Sequence, residues 1–519
     1  MKFSLENPKK AWILAVLAAA LVSFTFLNTY PISILDEAKN AEAAREMLET
    51  GDFWVPKFNG ELRTDKPPLH YYFMLLGFKL FGTTVLGARF FSAVMGFVTL
   101  LATFGFARRH LGEAVAKTTL LVLLGSFFFM QEFHLAVPDP YLIAFITLGL
   151  FSFYHFYVTK KYGYLVLFYF FLALGVLSKG PVAIALPGLS VGLFLILQGE
   201  VKRAFRYYPV VGLLGIALVA VPWFWQVHLK TNGLWTQGFF FDHNLNRFSS
   251  TMEGHGGIFL ITWAFVLLGL LPFSFFIPQS FRHAWRSRTN APLVFAACVA
   301  GVFILFFSLS STKLPNYTMP CYAFLALLLG AFITQKIRDG FAKWDVISVL
   351  LLTLVGMALP VAAYVGLGQE KALAPFQYLA IGLVPTAMGT LLGLVFYIRK
   401  KIPFYLLSTA FSWGLLLFVL HGFLYPRLTE VLPTTAVAKV LPNGANVLVY
   451  KRMDAAFPFH FQRTYDVIDN INDVANLHGT YLLTNHPEGQ TLDRLANITR
   501  VASQKALFEN HTTVLYKIE

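Results

Sequence analysis

Residues 69–82 read LHYYFMLLGFKLFG, and the fold of the whole chain depends on whether this run crosses a membrane. A membrane-spanning helix needs roughly 20 apolar residues. This run has 14 residues and contains Lys79. Its Tyr71, Tyr72 and Phe73 are typical of side chains at the depth of the lipid headgroups. We therefore predict an interfacial or re-entrant helix that does not span.

The composition around this run is that of a polytopic membrane protein. Of the 519 residues 56% are hydrophobic and only 13% are charged, whereas soluble domains average about 25% charged residues. The formal charge of +14 is spread over short basic clusters between apolar runs. Such clusters are topology signals, so we expect no nucleic-acid partner. The two cysteines, Cys298 and Cys321, lie inside apolar runs and indicate neither a disulfide framework nor a metal site.

Thirteen apolar runs are long enough to be predicted as membrane helices. They lie near residues 11–27, 85–107, 114–136, 141–158, 163–178, 181–198, 207–227, 258–279, 291–309, 317–334, 344–365, 376–398 and 403–424. The first run follows Lys9-Lys10 and has no small-residue cleavage signature after it, so we predict an uncleaved signal-anchor with a cytoplasmic N-terminus.

The basic connections test this count, because Lys and Arg clusters favour the cytoplasmic side. With 69–82 not spanning, six clusters share that side: Arg108-Arg109, Lys160-Lys161, Lys202-Arg203-Arg206, Arg282-Arg286-Arg288, Lys336-Arg338-Lys343 and Arg399-Lys400-Lys401. If 69–82 spanned, every later cluster would be placed outside. We therefore predict thirteen helices and an external C-terminus.

The composition changes after about residue 425. Residues 426–519 lack a long apolar run but contain strand-like stretches at 446–450, 481–483 and 513–516, with helix-like sequence around 492–496. We predict a transmembrane catalytic domain over 1–425, with an external loop at 28–84 that carries interfacial helices. A small α/β extramembrane domain follows over 426–519.

The predicted external face collects the carboxylates of the chain that suit catalysis. Asp36-Glu37 follows the first span, and an acidic pair there is costly unless it meets water, a cation or a polar substrate. A carboxylate is also what sugar transfer needs to orient or deprotonate an acceptor. Asp139 lies between two prolines on the same face. Solvated loop acids, or an N-capping role for Asp139, are the alternative interpretations.

The same face collects cations. In Asp65-Lys66-Pro67-Pro68 the two prolines restrict the backbone, and Lys66 is suited to neutralising a phosphate. Lys179, Arg247 and Lys313 are further candidates for a phosphate site that stabilises a leaving group. The alternative is that they anchor at lipid headgroups.

Three segments of the external loop resemble the bacterial lipid A aminoarabinose transferases and the related protein O-mannosyltransferases, which belong to the GT-C class. They are Asp36-Glu37-Ala38-x-x-Ala41-Glu42-x-Ala44-Arg45-Glu46-Met47, Gly51-Asp52-Phe53-Trp54-x-Pro56-x-Phe58-Asn59-Gly60 and Lys66-Pro67-Pro68-Leu69-x-Tyr71-Tyr72. Further matches follow in order at Asp139, Ser178-Lys179-Gly180-Pro181, His243-Asn244-x-x-Arg247-Phe248, His255 and Lys313-Leu314-Pro315-x-Tyr317. The resemblance implies a mainly α membrane bundle of GT-C type.

The resemblance also implies an activity. The enzyme would be a polyprenyl-phosphate-sugar-dependent glycosyltransferase of the bacterial inner membrane, with its active site and C-terminus in the periplasm. It would move a monosaccharide, with inversion, from an undecaprenyl-phosphate-linked donor to lipid A or another envelope acceptor. Asp36, Glu37 and Asp139 would be catalytic, and Tyr71, Tyr72, Tyr317 and His243 would line the substrate pocket.

A zinc ion is a further implication of the resemblance, because the family's zinc ligands correspond to Asp65 and His255 here. Carboxylate and imidazole are suitable ligands, but two protein ligands make an incomplete set. A structural role for the loop histidine is the alternative.

Two other functions remain open at this stage. One is protein O-glycosylation by the same chemistry. The other is a flippase for lipid-linked sugars, which would carry polar or helix-breaking features near mid-membrane, often in two repeated halves. Here the polar groups cluster at one face and no repeat is present, so a glycosyltransferase is favoured.

Overall fold

A computed structural model describes residues 8–245, 256–470, 479–487, 492, 493, 495, 497–507 and 509–519. Within these residues, nine helices are long and apolar enough to cross a membrane: Val85–His110, Asp139–Thr159, Tyr162–Lys179, Pro209–Lys230, Ala291–Leu309, Pro315–Asp339, Lys343–Gln369, Ala374–Ile398 and Ile402–Val431. A tenth span results if Phe259–Gly269 and Phe273–Arg286, which meet at 118°, count as one. The chain is a multi-pass, mainly α membrane protein, as predicted.

The remaining three predicted spans lie on shorter helices. They are Pro8–Phe24 with 17 residues, Glu113–Gly125 with 13 followed by Phe127–Glu132 with 6, and Val182–Leu197 with 16. A helix of 16 residues is about 24 Å long, less than the roughly 30 Å of a hydrocarbon core. The total of thirteen spans therefore stays a prediction.

The run that opened the sequence analysis forms a helix over Leu69–Phe81, with 13 residues. At about 20 Å it is too short to span. It packs antiparallel to Val85–His110 through a glycine contact, since a Cβ on Gly77 would lie 2.1 Å from the carbonyl oxygen of Gly87. Thr84 accepts a hydrogen bond from the Gly87 amide at 3.1 Å and so caps the second helix.

The rest of residues 28–84, which we call the loop layer, forms a helix over Leu35–Thr50 and a small hairpin of Lys57–Phe58 with Glu61–Leu62. The hairpin turn is Asn59-Gly60, with φ of 52° and 81°, which is the sequence and geometry that a two-residue hairpin turn favours. Gly51, with φ 70°, ends the helix.

The C-terminal region is a five-stranded mixed sheet. Its strands in spatial order are Val467–Ile468, Val447–Tyr450, Tyr481–Thr484, Thr512–Ile518 and Ile498–Lys505. The first three are parallel, and Thr512–Ile518 is antiparallel to both of its neighbours. The three predicted strands are confirmed, whereas the predicted helix around 492–496 lies partly outside the described residues. A short helix that was not predicted, Ala456–Phe461, lies between the strands Val447–Tyr450 and Val467–Ile468 in the chain.

Short helical segments complete the description. They are Val201–Tyr207, Leu234–Gln237, Gly238–Leu245, Tyr425–Leu428, Thr429–Val431 and Pro433–Ala438.

Candidate functional site

A cavity of about 440 Å³ lies where the loop layer meets the helix ends. Its polar lining residues are Asp65, Lys66, Asp139, Lys179, His243, Ser310 and Tyr317. Its apolar lining residues are Leu142, Pro181, Val182, Ala185, Phe239, Phe240, Phe303, Phe306, Phe307 and Pro320. The cavity therefore suits an amphiphilic ligand.

The polar and apolar residues are separated along the helices. Asp139 is the first residue of its helix and Lys179 the last of its own, while Ser310 follows the end of Ala291–Leu309. Leu142 lies a turn inside its helix, and Phe303 two turns before Ser310, about 10 Å along the axis. The charged end is thus at the helix ends and the apolar end extends into the bundle.

Asp139, which is buried, and Lys179, which is half-buried, form an ion pair in the wall of this cavity. Asp139 is at a helix N-terminus and Lys179 is at a helix C-terminus. Each charge is therefore also stabilised by the dipole of its own helix. The Lys179 ammonium lies 5.2 Å from the ring centroid of Tyr317, a cation–π contact. Three residues that the sequence predicted separately are therefore brought together.

Two more predicted cations differ in their relation to the cavity. Lys66 is buried and lines it. Lys313 is also buried, but its ammonium donates to the carbonyl oxygen of Ser310 and does not reach the lining. Lys313 thus stabilises the turn that carries Ser310.

Asp65 is held on both sides of its carboxylate. Arg63 lies 3.0 Å from one oxygen and the His243 Nε2 3.0 Å from the other. Burial raises the pKa of Asp65, but the hydrogen bond with His243 and the positive charge of Arg63 outweigh it and hold the pKa below its ordinary value. Asp65 is therefore an ionised carboxylate.

This arrangement bears on the implied zinc site. Both Asp65 oxygens already contact protein side chains, and across the described ranges no group of three or more His, Cys, Asp or Glu side chains is placed to hold a metal ion. His255 and Arg247 lie outside the described residues. The donor set of the described residues therefore does not fit zinc.

Asp36 and Glu37 are adjacent in the first turn of Leu35–Thr50 but lie in different environments. Asp36 is exposed. Partial dehydration by the surrounding protein raises its pKa, but the positive charges of Lys66, Arg63 and Lys179 outweigh this effect and hold the pKa below its ordinary value. The Asp36 carboxylate is thus ionised and faces the cations of the cavity.

Glu37 instead turns into the protein. Its carboxylate is fully buried and binds Arg89 through two hydrogen bonds, at 2.6 and 2.9 Å, and accepts a third from the Ala136 amide at 2.9 Å. Arg89 also donates to the carbonyl oxygens of Leu27 and Tyr30. The geometry corrects the expectation of a catalytic Glu37, because a carboxylate so enclosed has no access to a substrate.

The two tyrosines of the 69–82 run also lie outside the cavity lining. Tyr71 is fully buried and accepts from the Arg63 Nε at 3.1 Å, and the Tyr72 hydroxyl donates to the Phe53 carbonyl oxygen at 3.0 Å. They brace the loop layer. Tyr317 and His243 do line the cavity, as predicted pocket residues should.

Arg63 and Arg89 are the important residues that sequence reasoning missed. Arg63 binds Asp65, Tyr71 and, at 3.0 Å, the Asn40 side-chain oxygen, and its carbonyl accepts from the Trp235 indole at 2.8 Å. Arg89 gave a usable signal, since an arginine inside a predicted span requires a buried partner. Arg63 gave none, because it is an ordinary residue of a polar loop.

Comparison with known proteins gives relatives and a fold neighbour. A family model described as dolichyl-phosphate-mannose-protein mannosyltransferase matches residues 65–225. An undecaprenyl phosphate-α-4-amino-4-deoxy-L-arabinose arabinosyl transferase of Aeromonas salmonicida is 30% identical over 387 residues, covering 71% of this chain and 69% of that protein. An uncharacterized protein of Aquifex aeolicus is 28% identical over 441 residues, covering 83% and 81%.

The fold neighbour is a crystal structure of ArnT from Cupriavidus metallidurans bound to undecaprenyl phosphate. It matches with a TM-score of 0.82 over 98% of both chains, at 20% sequence identity. At that identity the match establishes the shared fold.

Proposed function

The chain belongs to the family of undecaprenyl phosphate-α-4-amino-4-deoxy-L-arabinose arabinosyl transferases and is a polyprenyl-phosphate-sugar-dependent glycosyltransferase; we propose that it transfers 4-amino-4-deoxy-L-arabinose from undecaprenyl phosphate to lipid A. The observation that carries the proposal is the cavity with a charged end at the helix ends and an apolar end inside the bundle. An isoprenoid phosphate has the matching distribution of charge and hydrocarbon.

The donor phosphate fits the charged end. Lys66 and Lys179 line the cavity there and supply two ammonium groups for the phosphate oxygens. Asp139 positions Lys179 through their ion pair, and Lys313 positions Ser310. The first isoprene units lie against Phe303, Phe306 and Ala185, which are apolar lining residues farther inside the bundle.

The transfer step follows from this placement. The acceptor oxygen attacks the anomeric carbon, the bond from that carbon to the phosphate oxygen breaks, and undecaprenyl phosphate leaves with the electron pair. Lys66 and Lys179 stabilise the negative charge that develops on the leaving phosphate. Attack opposite the leaving group inverts the anomeric configuration.

Asp36 receives the acceptor proton. Its carboxylate is exposed and ionised and interacts electrostatically with Lys66 and Lys179 of the cavity, so it serves to orient the acceptor hydroxyl and to pass the proton on to water. Glu37 and Arg89 fix the helical turn that carries it. Asp65, held by Arg63 and His243, connects the loop layer to the Gly238–Leu245 segment.

The sidedness of the enzyme is part of the proposal. The basic clusters predict the inner membrane with a cytoplasmic N-terminus and the cavity mouth and C-terminal sheet on the periplasmic side. Lipid A or another envelope glycan is then the acceptor accessible to Asp36.

The test is transfer by the purified protein in detergent, with the lipid-linked aminoarabinose donor and lipid A supplied directly. We expect mass spectrometry to show lipid A heavier by one aminoarabinose residue, and to show no product without donor. Release of free sugar with no change in lipid A would contradict the acceptor. A protein that neither consumes donor nor modifies lipid A, but moves the donor across vesicle membranes, would instead be a flippase.

A further inference from the structure

A second recess, which we call the crevice, lies between the loop layer and the C-terminal sheet and has a volume of about 510 Å³. The loop layer contributes Leu35, Lys39, Phe58, Asn59 and Glu61 to its walls. The C-terminal region contributes Lys451, Arg452, Met453, Asn485 and His511, among others. None of these residues takes part in the donor cavity.

The position of the crevice on the sheet is that of a ligand site. Lys451-Arg452 follows the strand Val447–Tyr450, and Asn485 follows the parallel strand Tyr481–Thr484. His511 precedes Thr512–Ile518, which runs antiparallel, so it lies at the same edge.

The strand order makes this edge a topological switch point. From Val447–Tyr450 the chain goes first to Val467–Ile468 on one side and then returns to Tyr481–Thr484 on the other. In open α/β sheets, ligands bind outside the carboxyl ends of parallel strands at such a point.

The charge of the crevice is positive. Lys39, Lys451 and Arg452 face a single lining carboxylate, Glu61. The His511 ring contacts the Glu509 carboxylate at 3.0 Å. Asn485 supplies an amide that both donates and accepts. A ligand that carries an anionic group together with hydroxyls matches this lining.

The two faces of the crevice are held in fixed positions. The Asn59 side chain donates to the Tyr465 carbonyl oxygen at 2.9 Å and accepts from the Tyr465 amide at 2.7 Å. On the sheet side, the backbone N–H of Asn485 donates to the Arg452 carbonyl oxygen at 2.9 Å. This bond fixes the turn that carries Lys451 and Arg452. The recess is therefore preformed, which lowers the cost of binding.

The crevice adjoins the carboxylate to which the proposed function gives the acceptor proton. Leu35 and Lys39 line the crevice and are one helical turn apart, and Asp36 lies between them in the same turn. Asp36 in turn interacts electrostatically with Lys66 and Lys179 of the donor cavity. One helical turn thus carries two lining residues of the crevice and a carboxylate that interacts electrostatically with the cations of the donor cavity.

We propose that the crevice is the acceptor subsite and binds a phosphorylated saccharide, with Lys39, Lys451 and Arg452 on its phosphate and Asn485 on its hydroxyls. This proposal rests on the proposed function, since it supplies that reaction's acceptor.

The test compares two charge-matched double variants of the full-length protein. K451A/R452A removes the two sheet-side cations of the crevice. K439A/K517A removes two exposed cations of the same region. Lys517 pairs with Tyr481 and so lies at the end of the strands that is away from the crevice. We expect K451A/R452A to lower kcat/KM for lipid A by at least about tenfold, or about 1.4 kcal/mol, mainly through KM, and K439A/K517A to match the wild type.

Direct binding gives a second readout. Glucosamine 1-phosphate should bind the wild type and K439A/K517A more tightly than glucosamine does, and K451A/R452A should lose that difference. Equal competition by inorganic phosphate would overturn the saccharide part of the proposal. Wild-type transfer with unchanged KM in K451A/R452A would overturn the subsite while leaving the proposed function standing. Absence of transfer by the wild type would reject the proposed function itself.

Discussion

The donor cavity and the crevice are built on different principles. The cavity is made of helix ends, and its Lys179 is already neutralised by Asp139. The crevice is made of strand ends, and its three cations face one carboxylate. Both recesses are preformed, but Lys179 of the cavity is already paired, whereas the lining of the crevice carries more cations than carboxylates. The difference teaches that the cavity matches both the charge and the hydrocarbon of its ligand, whereas the crevice attracts anions by net charge.

The largest effect on the rate of sugar transfer should come from Asp36, the proposed proton acceptor. Asp36→Asn keeps the shape of the side chain but removes the proton acceptor, so we expect transfer to fall about 10²- to 10⁴-fold. Undecaprenyl phosphate binding should change little, because Lys66 and Lys179 remain. A single-turnover assay with mass spectrometry measures the first, and a binding assay the second. Near wild-type transfer would remove Asp36 from the mechanism.

The next effect concerns the neighbouring carboxylate and appears in stability. Glu37→Gln leaves Arg89 buried without its counter-charge, which should cost about 3–5 kcal/mol. Asp36→Asn is the matched control, since an exposed substitution should stay within about 0.5 kcal/mol. Thermal unfolding in detergent compares the two. Equal unfolding curves would show that the buried pair does not stabilise the fold.

A smaller effect should separate the cavity from the crevice. Lys66→Ala removes one charge-assisted contact to the donor phosphate, worth about 1.5–3 kcal/mol, so we expect donor affinity to fall about 10- to 150-fold. Lys230→Ala is the control, because Lys230 forms a surface ion pair with Asp52 at 3.3 Å. Isothermal titration with undecaprenyl phosphate measures both. An equal loss in the control would point to general attraction of anions.

The fastening of the crevice should give a still smaller change. Asn59→Ala removes the two hydrogen bonds to Tyr465, at about 1 kcal/mol each. We expect faster hydrogen exchange of the amides near Tyr465 and of the Lys57–Leu62 hairpin, with the donor cavity unaffected. Slower lipid A turnover together with unchanged donor binding would sharpen the distinction between the recesses. Unchanged exchange would show that other contacts hold the sheet in place.

The smallest expected effect is that of pH. The pKa of Asp36 is lowered, so its carboxylate stays ionised as the pH falls. The negative charge is lost only below the ordinary pKa of 3.8. Between pH 7 and pH 5 we therefore expect protonation of Asp36 to change the rate by less than about twofold. The kcat/KM profile of the wild type measures this. A fall in kcat/KM that begins above pH 5 in the wild type and is absent from the residual activity of Asp36→Asn would contradict a lowered pKa of Asp36.

The sequence predicted more of the fold than of the site. Apolar runs located the long helices because each run meets the bilayer requirement by itself, and the 69–82 run was correctly set apart by its length. The helix-end position of Asp139 and Lys179 was readable, but their pairing joins two helices and no local pattern encodes it.

Side-chain direction was the limit of the prediction at Asp36-Glu37. Successive residues of a helix point about 100° apart, so one of the pair turns to the cavity and the other to Arg89. The sequence does not tell which. At Asn59-Gly60 a signal was present, since this dipeptide favours a hairpin turn, but its link to Tyr465 joins positions 406 residues apart.

The Asp139–Lys179 pair has one more consequence. Because the Asp139 carboxylate already binds the Lys179 ammonium, the site carries its own resident anion. Any phospholipid that enters from the bilayer must share the Lys179 ammonium with Asp139, and a headgroup with only one negative charge gains little from such a shared contact. A ligand whose phosphate also reaches Lys66 is compensated. The ion pair therefore acts as an internal competitor that keeps abundant membrane lipids from blocking the enzyme.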